Sequence, residues 1–156
     1  MDIIHPQART GDGALSMVAI NTDVQEGARE FTWSGNAAME LNANAPLDLV
    51  RETNGDVFVV ATVRVDALPD DGKASLVANC GKDCRAELPL GDALAALPRG
   101  EWTRLGIQLR CLRVAGADTG QLESPFSLHA GTGMRIALAQ VSAGTEFDNR
   151  LDCPLQ

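Results

Sequence analysis

The run Gly100-Glu101-Trp102-Thr103-Arg104-Leu105-Gly106-Ile107-Gln108-Leu109 carries a strict two-residue alternation behind a glycine turn. Thr103, Leu105, Ile107 and Leu109 fall on one side, and Trp102, Arg104 and Gln108 on the other. That is the pattern of a strand with one face in a core and one face outside it. Arg110-Cys111-Leu112 then reads as a short helical or irregular crossing, and Gly116-Ala117-Asp118 as a second turn. The same grammar, a turn followed by a short apolar run, recurs along the chain.

Outward from this strand, helical periodicity is scarce. Strands are expected over residues 15–21, 29–34, 38–42, 47–52, 56–66, 75–79, 85–88, 102–109, 125–130 and 134–143. In 29–34 Phe31 and Trp33 share a face, and the burial habit of tryptophan assigns Trp33 to the core. In 56–66, Val57, Val59, Ala61, Val63 and Val65 line one face while Phe58 and Val60 lead the other. A strand apolar on both faces is expected at the centre of a sheet, covered on both sides. In 134–143, strict alternation puts Met134, Ile136 and Leu138 opposite Ala137, Ala139 and Val141. Residues 92–97 and 112–116 read as short helical turns. About ten strands with turn signals between them predict an all-β sandwich with one or two helical turns. No repeat or linker divides the chain, so residues 1–156 are read as a single domain.

The composition is that of an ordinary globular chain, and the formal net charge of −8 leaves no basic surface for a phosphate backbone. Nucleic acid is therefore not an expected partner. No apolar run approaches the length of a membrane span. The start, Met1-Asp2-Ile3-Ile4-His5-Pro6, lacks the features of a signal peptide, as a segment of a longer secreted protein would. Four cysteines, Cys80, Cys84, Cys111 and Cys153, allow three pairings. The pairing expected from their positions joins Cys80 to Cys84 within one loop and Cys111 to Cys153 at the tail. The alternative is four free thiols in a cytosolic domain. Zinc is disfavoured because His5 and His129, the two histidines, stand at no finger-like spacing from the cysteines.

The ordered set Gly100-Glu101-Trp102 to Leu109, Cys111, Gly116-Ala117-Asp118 and Ser124-Pro125-Phe126 also carries a resemblance. With Arg135-Ile136-Ala137-Leu138-Ala139-Gln140-Val141 and the Asp152-Cys153-Pro154 end, it resembles the extra carboxy-terminal domain of bacterial family 3 glycoside hydrolases. These are enzymes of the exo-1,3/1,4-β-glucanase and 1,4-β-glucan glucohydrolase type. The similarity runs from about residue 57 to the end. It implies a galactose-binding-like jelly-roll β-sandwich, a periplasmic or secreted parent, and the parent's catalytic domains as partners. The nucleophile and acid/base would lie in those other domains, so no catalytic residue is transferred and the module itself is not expected to be an enzyme.

The residues give no rival catalytic set. Asp70 with Asp71, Glu26 with Glu30 and Asp148 with Asp152 are sequence neighbours in turns or on polar faces, not carboxylates set about 5 Å apart across a bond. Ser34-Gly35 and Ser142-Ala143-Gly144 lack a nucleophile elbow. Gly11-Asp12-Gly13 and Gly131-Thr132-Gly133 are hairpin-type turns. For sugar, the candidates are Trp102 as a stacking platform and Arg104 and Gln108 as hydroxyl partners, with β-glucan as ligand. Against this, a bulge at the strand start would turn Trp102 onto the core or a neighbouring domain, and tryptophan's burial habit weighs towards that packing role. Aromatics make up only 4% of the chain, too few for a long row of stacked rings. No cofactor is expected. A structural calcium, held by Asp2, Asp23, Glu26 or Asp148, is a lesser expectation without EF-hand spacing behind it.

Overall fold

The computed structural model describes residues 7–8, 14–20, 28–41, 45–151 and 153. Among these residues eleven strands and three short helices follow one another: β1 (Gln7–Ala8), β2 (Leu15–Ile20), β3 (Ala28–Trp33), β4 (Ala37–Leu41), α1 (Val50–Asn54), β5 (Phe58–Ala67), β6 (Ala74–Asn79), β7 (Arg85–Pro89), α2 (Gly91–Ala95), β8 (Trp102–Gln108), α3 (Leu109–Val114), β9 (Ser124–Ala130), β10 (Arg135–Gly144) and β11 (Asn149–Leu151). They form a five-stranded sheet, β1-β4-β9-β6-β7, and a six-stranded sheet, β11-β8-β5-β10-β3-β2. The described pairs are antiparallel except β11 with β8, which is parallel. This is the expected all-β sandwich, with three helices where one or two were expected.

One apolar cluster joins the sheets. The six-stranded sheet contributes Phe31, Trp33, Val59, Ala61, Val63, Val65, Leu105, Ile107, Ile136, Leu138 and Val141, and the other contributes Met39, Leu41, Leu76, Leu88, Phe126 and Leu128. Trp33 is buried, and its indole N–H donates to the Ala37 carbonyl at 3.0 Å, so the ring's polar atom is satisfied inside the core. β5 lies third in its sheet and is covered on both faces at Phe58 and Val60, where its sequence is apolar on both sides, while Thr62, Arg64 and Asp66 on the outer face are partly exposed.

Three local expectations are corrected. Residues 47–52 do not form a strand. Leu47 makes a single bridge to Leu122, and the Asp48 carboxylate accepts the Val50 N–H at 3.2 Å, turning the chain into α1. Asp side chains satisfy nearby backbone donors in turns, and Arg51 and Glu52 are good helix formers, so local chemistry overrides the Leu47/Leu49 alternation. Second, the strand at 102–109 stops at Gln108, and α3 begins at Leu109, so the crossing expected at 110–112 and the helical turn expected at 112–116 are one helix. Leu109 and Leu112 stay buried at helical spacing, with Cys111 between them in a disulfide. Third, the register of β10 against β5 shifts between Leu138 and Gln140. Ile136 and Leu138 face the core before the shift and Val141 after it, so Val141 shares their face.

Cys80 pairs with Cys84 and Cys111 with Cys153. No described helix is long and apolar enough to cross a membrane.

Candidate functional site

The outer face of the six-stranded sheet gathers the chemistry. Ladder register sets it out in rows across β8, β5 and β10. Trp102 pairs with Arg64, and Arg64 with Ala137, which in turn faces Glu30 on β3. The next row is Arg104, Thr62 and Gln140, and the next is Gly106, Val60 and Ser142. Gln108, Phe58 and Gly144 close the set. Gln140 and Ser142 reach this face only because the β10 bulge resets the alternation. Without it, Gln140 would follow Ile136 and Leu138 into the core.

In the first row the Arg64 guanidinium is the organising charge. It donates to Asp66 at 2.9 Å and to Glu30 at 3.2 Å, and it lies over the Trp102 ring at 5.4 Å from the centroid. That is within cation–π range. A hydrogen bond shared with Asp66 holds the Glu30 carboxyl above its ordinary pKa, with burial and the Asp66 charge adding to it. Burial pushes Asp66 upward too, but the hydrogen bonds from Arg64 and Glu30 outweigh it and leave Asp66 below the usual carboxylate range. The same Asp66 hydrogen bond raises Arg64.

In the second row Arg104 is tied to the segment that follows β10. Its backbone N–H donates to the Asp148 carboxylate at 2.9 Å, and the Asp148 N–H returns to the Arg104 carbonyl at 2.9 Å. The first of these bonds depresses the Asp148 pKa. The Arg104 guanidinium also lies 3.6 Å from Asp148 and 3.9 Å from Glu146. Phe147, between those two acids, packs against Gly106: a Cβ added at Gly106 would meet the Phe147 Cγ at 2.7 Å. Phe147 also sits 4.5 Å from the Phe58 ring, and Arg150 covers Phe58 at 5.6 Å. On the Arg104 and Val60 rows lies a shallow cleft of about 340 Å³ lined by Val60, Thr62, Arg104, Gln140, Ser142, Gly144, Thr145 and Glu146.

The three residues named from sequence share this face but not one site. Trp102 is partly exposed at one end, and Arg104 lines the cleft. Gln108 stands six residues along the strand from Trp102, roughly 20 Å at strand rise, where it leads into α3. The β5–β8 ladder is in register from Phe58–Gln108 to Arg64–Trp102, so no bulge turns Trp102 inward. The core-packing expectation for Trp102 is corrected on that point. Arg64, Thr62, Gln140, Glu146 and Phe147 were not singled out from sequence. Their only signals were the polar alternation of β5 and an isolated phenylalanine among acids.

Asp2, Asp23 and Glu26, offered for calcium, lie outside the described residues, and Asp148 is engaged with Arg104. Among the described residues no three His, Cys, Asp or Glu side chains gather to hold a metal. Asp70 and Asp71 are exposed, and Glu26 and Asp152 are not described. The carboxyls that do meet, Glu30 and Asp66, share Arg64 in an ion network instead of facing each other across an open bond site.

A family model described as a galactose-binding domain-like module, Exop_C, matches residues 3–143. No curated protein matches the chain. Among solved structures, the exo-1,3/1,4-β-glucanase of a Pseudoalteromonas species superposes with a TM-score of 0.73 at 21% identity, covering 96% of this chain. The chain spans only 18% of that glucanase's length. The extra C-terminal domain of the same enzyme gives 0.69 at 20% identity, covering 96% of this chain and 83% of the domain. A family 30 carbohydrate-binding module of a cellulosomal cellulase from Clostridium thermocellum gives 0.67 at 10% identity, covering 92% and 93%. At these identities the likeness establishes the fold.

Proposed function

The chain belongs to the Exop_C family of galactose-binding-like domains, and from that premise we propose a non-catalytic accessory module of a β-glucan-degrading hydrolase. The parent is of the family 3 type and works in the periplasm or outside the cell, in keeping with two disulfides, which persist in oxidising compartments. The module packs against the parent's catalytic domains, stabilising or assembling them. The observation that carries this reading is the β2 edge. Leu15–Ile20 ends the six-stranded sheet, contains no charge and no proline, and exposes Met17 and Val18 on opposite faces. An edge strand left without such guards is suited to contact another protein surface. The fold's occurrence as one part of a longer glucanase chain agrees with it.

The test is to place Met17→Glu and Val18→Lys in the parent hydrolase and to compare it with a parent lacking this segment. Both changes are expected to lower the parent's thermal midpoint or alter its assembly, while the isolated 156-residue chain keeps its own stability. An unchanged parent in both cases sinks the packing role.

A second reading, weak β-glucan contact, is favoured by one observation: Trp102 faces outward beside Arg104 and the polar cleft. It is compatible with the first, because the β2 edge and the cleft occupy different strands of the sheet.

A further inference from the structure

Thr62, Arg104, Gln140, Ser142, Thr145 and Glu146 meet in a cleft whose lining Val60 and Gly144 complete. Along β8 its Arg104 row lies between Trp102, which Arg64 covers, and Gly106, against which Phe147 packs. Trp102 and Gly106 are four residues apart on β8, roughly 13 Å at strand rise. We infer that this cleft is a binding site for a short neutral glycan lying across β8 and β5 at the Arg104 and Thr62 row. The inference rests on the glucan-contact reading and gives it a place and a ligand class.

The choice of ligand follows from charge and hydrogen-bonding type. Among the described residues that line the cleft Arg104 alone is a cation, and it is already balanced by Asp148 and Glu146. The cleft therefore has no surplus positive charge for a sulfate, phosphate or uronate, and the chain's −8 charge repels such groups at longer range. What remains is a set of hydroxyls, an amide, a carboxylate and a guanidinium. Those groups pair well with sugar hydroxyls, which both donate and accept. Val60 in the lining, and Trp102 one row away on the same face of β8, supply apolar surface for the C–H faces of the rings. The floor is a three-strand ladder, and Phe147 is braced by Gly106 and Phe58, so little ordering is left to be done on binding.

The test is an NMR titration of the full 156-residue chain with laminaritetraose and cellotetraose, alongside a uronate tetrasaccharide. Amide shifts at Thr62, Arg104, Gln140, Ser142 and Thr145 are expected with at least one neutral sugar. Thr62→Val and Gln140→Ala should each weaken that binding about tenfold, as loss of a direct hydrogen bond does, while leaving the unliganded spectrum folded. Binding that maps elsewhere, or that both variants leave intact, overturns the cleft assignment but leaves glucan contact standing. Tighter binding of the uronate overturns the neutral-ligand class. No shift with either neutral sugar at millimolar concentration removes the glucan-contact reading itself, and this inference with it.

Discussion

Arg64 lies over Trp102 at 5.4 Å, and ladder register places the two residues directly opposite each other on neighbouring strands. The contact is thus built into the sheet rather than left to two flexible side chains. Arg64 also binds Glu30 and Asp66, with 21% of its side chain exposed. Replacing it by alanine leaves two adjoining carboxyls without their hydrogen-bonded cation, with only the Arg135 charge to offset them, and uncovers part of the indole. Arg64→Ala is expected to cost about 1–2 kcal/mol, between the values for exposed and buried ion pairs. Arg64→Lys should recover less than half, because an ammonium cannot fork to two carboxylates and lie over the ring at once. Urea unfolding at neutral pH measures both, and a loss for Arg64→Ala within about 0.3 kcal/mol of zero would remove the organising role.

The strand framework was legible because most strands bury one face, and burial writes a two-residue period into the sequence. β8 shows this at Thr103, Leu105 and Ile107, and β5 shows it at Val59, Ala61, Val63 and Val65. The site was only half legible. Trp102 and Arg104 could be placed on the outer face by counting, but Gln140 and Ser142 depend on a bulge, which has no period of its own. β11 is three residues long with Leu151 alone buried, so nothing in its pattern marks it as a strand. Its position is set from outside, by Asp148 on Arg104 and Cys153 on Cys111. The α1 segment misled for another reason. Leu47 and Leu49 alternate like a strand, while Asp48 and Thr53 settle the backbone locally through their own hydrogen bonds.

His129 gives the fold a pH dependence of definite sign. It is half-buried on β9, paired with Ala38 and Ser75, and burial followed by the Arg85 charge holds its pKa below 6.5, against weaker pulls from Glu87 and Glu40. Below 6.5 the unfolded chain therefore takes up a proton that the folded chain resists. The stability linked to His129 is present above 6.5 and is lost as pH falls below it. Glu30 acts oppositely: its raised pKa contributes stability at low pH that is lost as pH rises above 4.5. Going from about pH 7 to about pH 5.5, the urea midpoint should fall in the native sequence. In His129→Gln it should stay level or rise slightly as the Glu30 contribution remains. Parallel slopes in the two proteins would refute the assignment.

The two disulfides should differ in weight because they close loops of different length. Cys80 and Cys84 are separated by 4 residues, Cys111 and Cys153 by 42. Loop-closure entropy alone gives about 2 kcal/mol for the first and about 4 kcal/mol for the second. Replacing Cys111 and Cys153 together by alanine is therefore expected to lower unfolding stability about twice as much as replacing Cys80 and Cys84. It should also raise hydrogen exchange in β11, which that bond tethers to α3. Equal losses, or the reverse order, would mean that native contacts rather than chain closure dominate.

Gly106 is the residue on which the seat of Phe147 depends. Adding a methyl group there places it 2.7 Å from Phe147 Cγ and 2.8 Å from Cδ1, closer than carbon atoms approach without movement. β8 is held on both sides, by β5 and by β11, so Phe147 must yield. Lifting it uncovers Phe58, which packs against it and is 7% exposed. Gly106→Ala should then cost about 1–3 kcal/mol, the usual penalty for overpacking, although alanine suits a strand better than glycine. Phe147→Ala destabilises through lost cover, but it also removes the obstacle. In the double variant the Gly106→Ala step should cost nothing measurable, giving a coupling of about 1 kcal/mol or more between the two positions. Additive losses would show that the methyl group is accommodated by the backbone, and that Phe147 does not rest on Gly106 in solution.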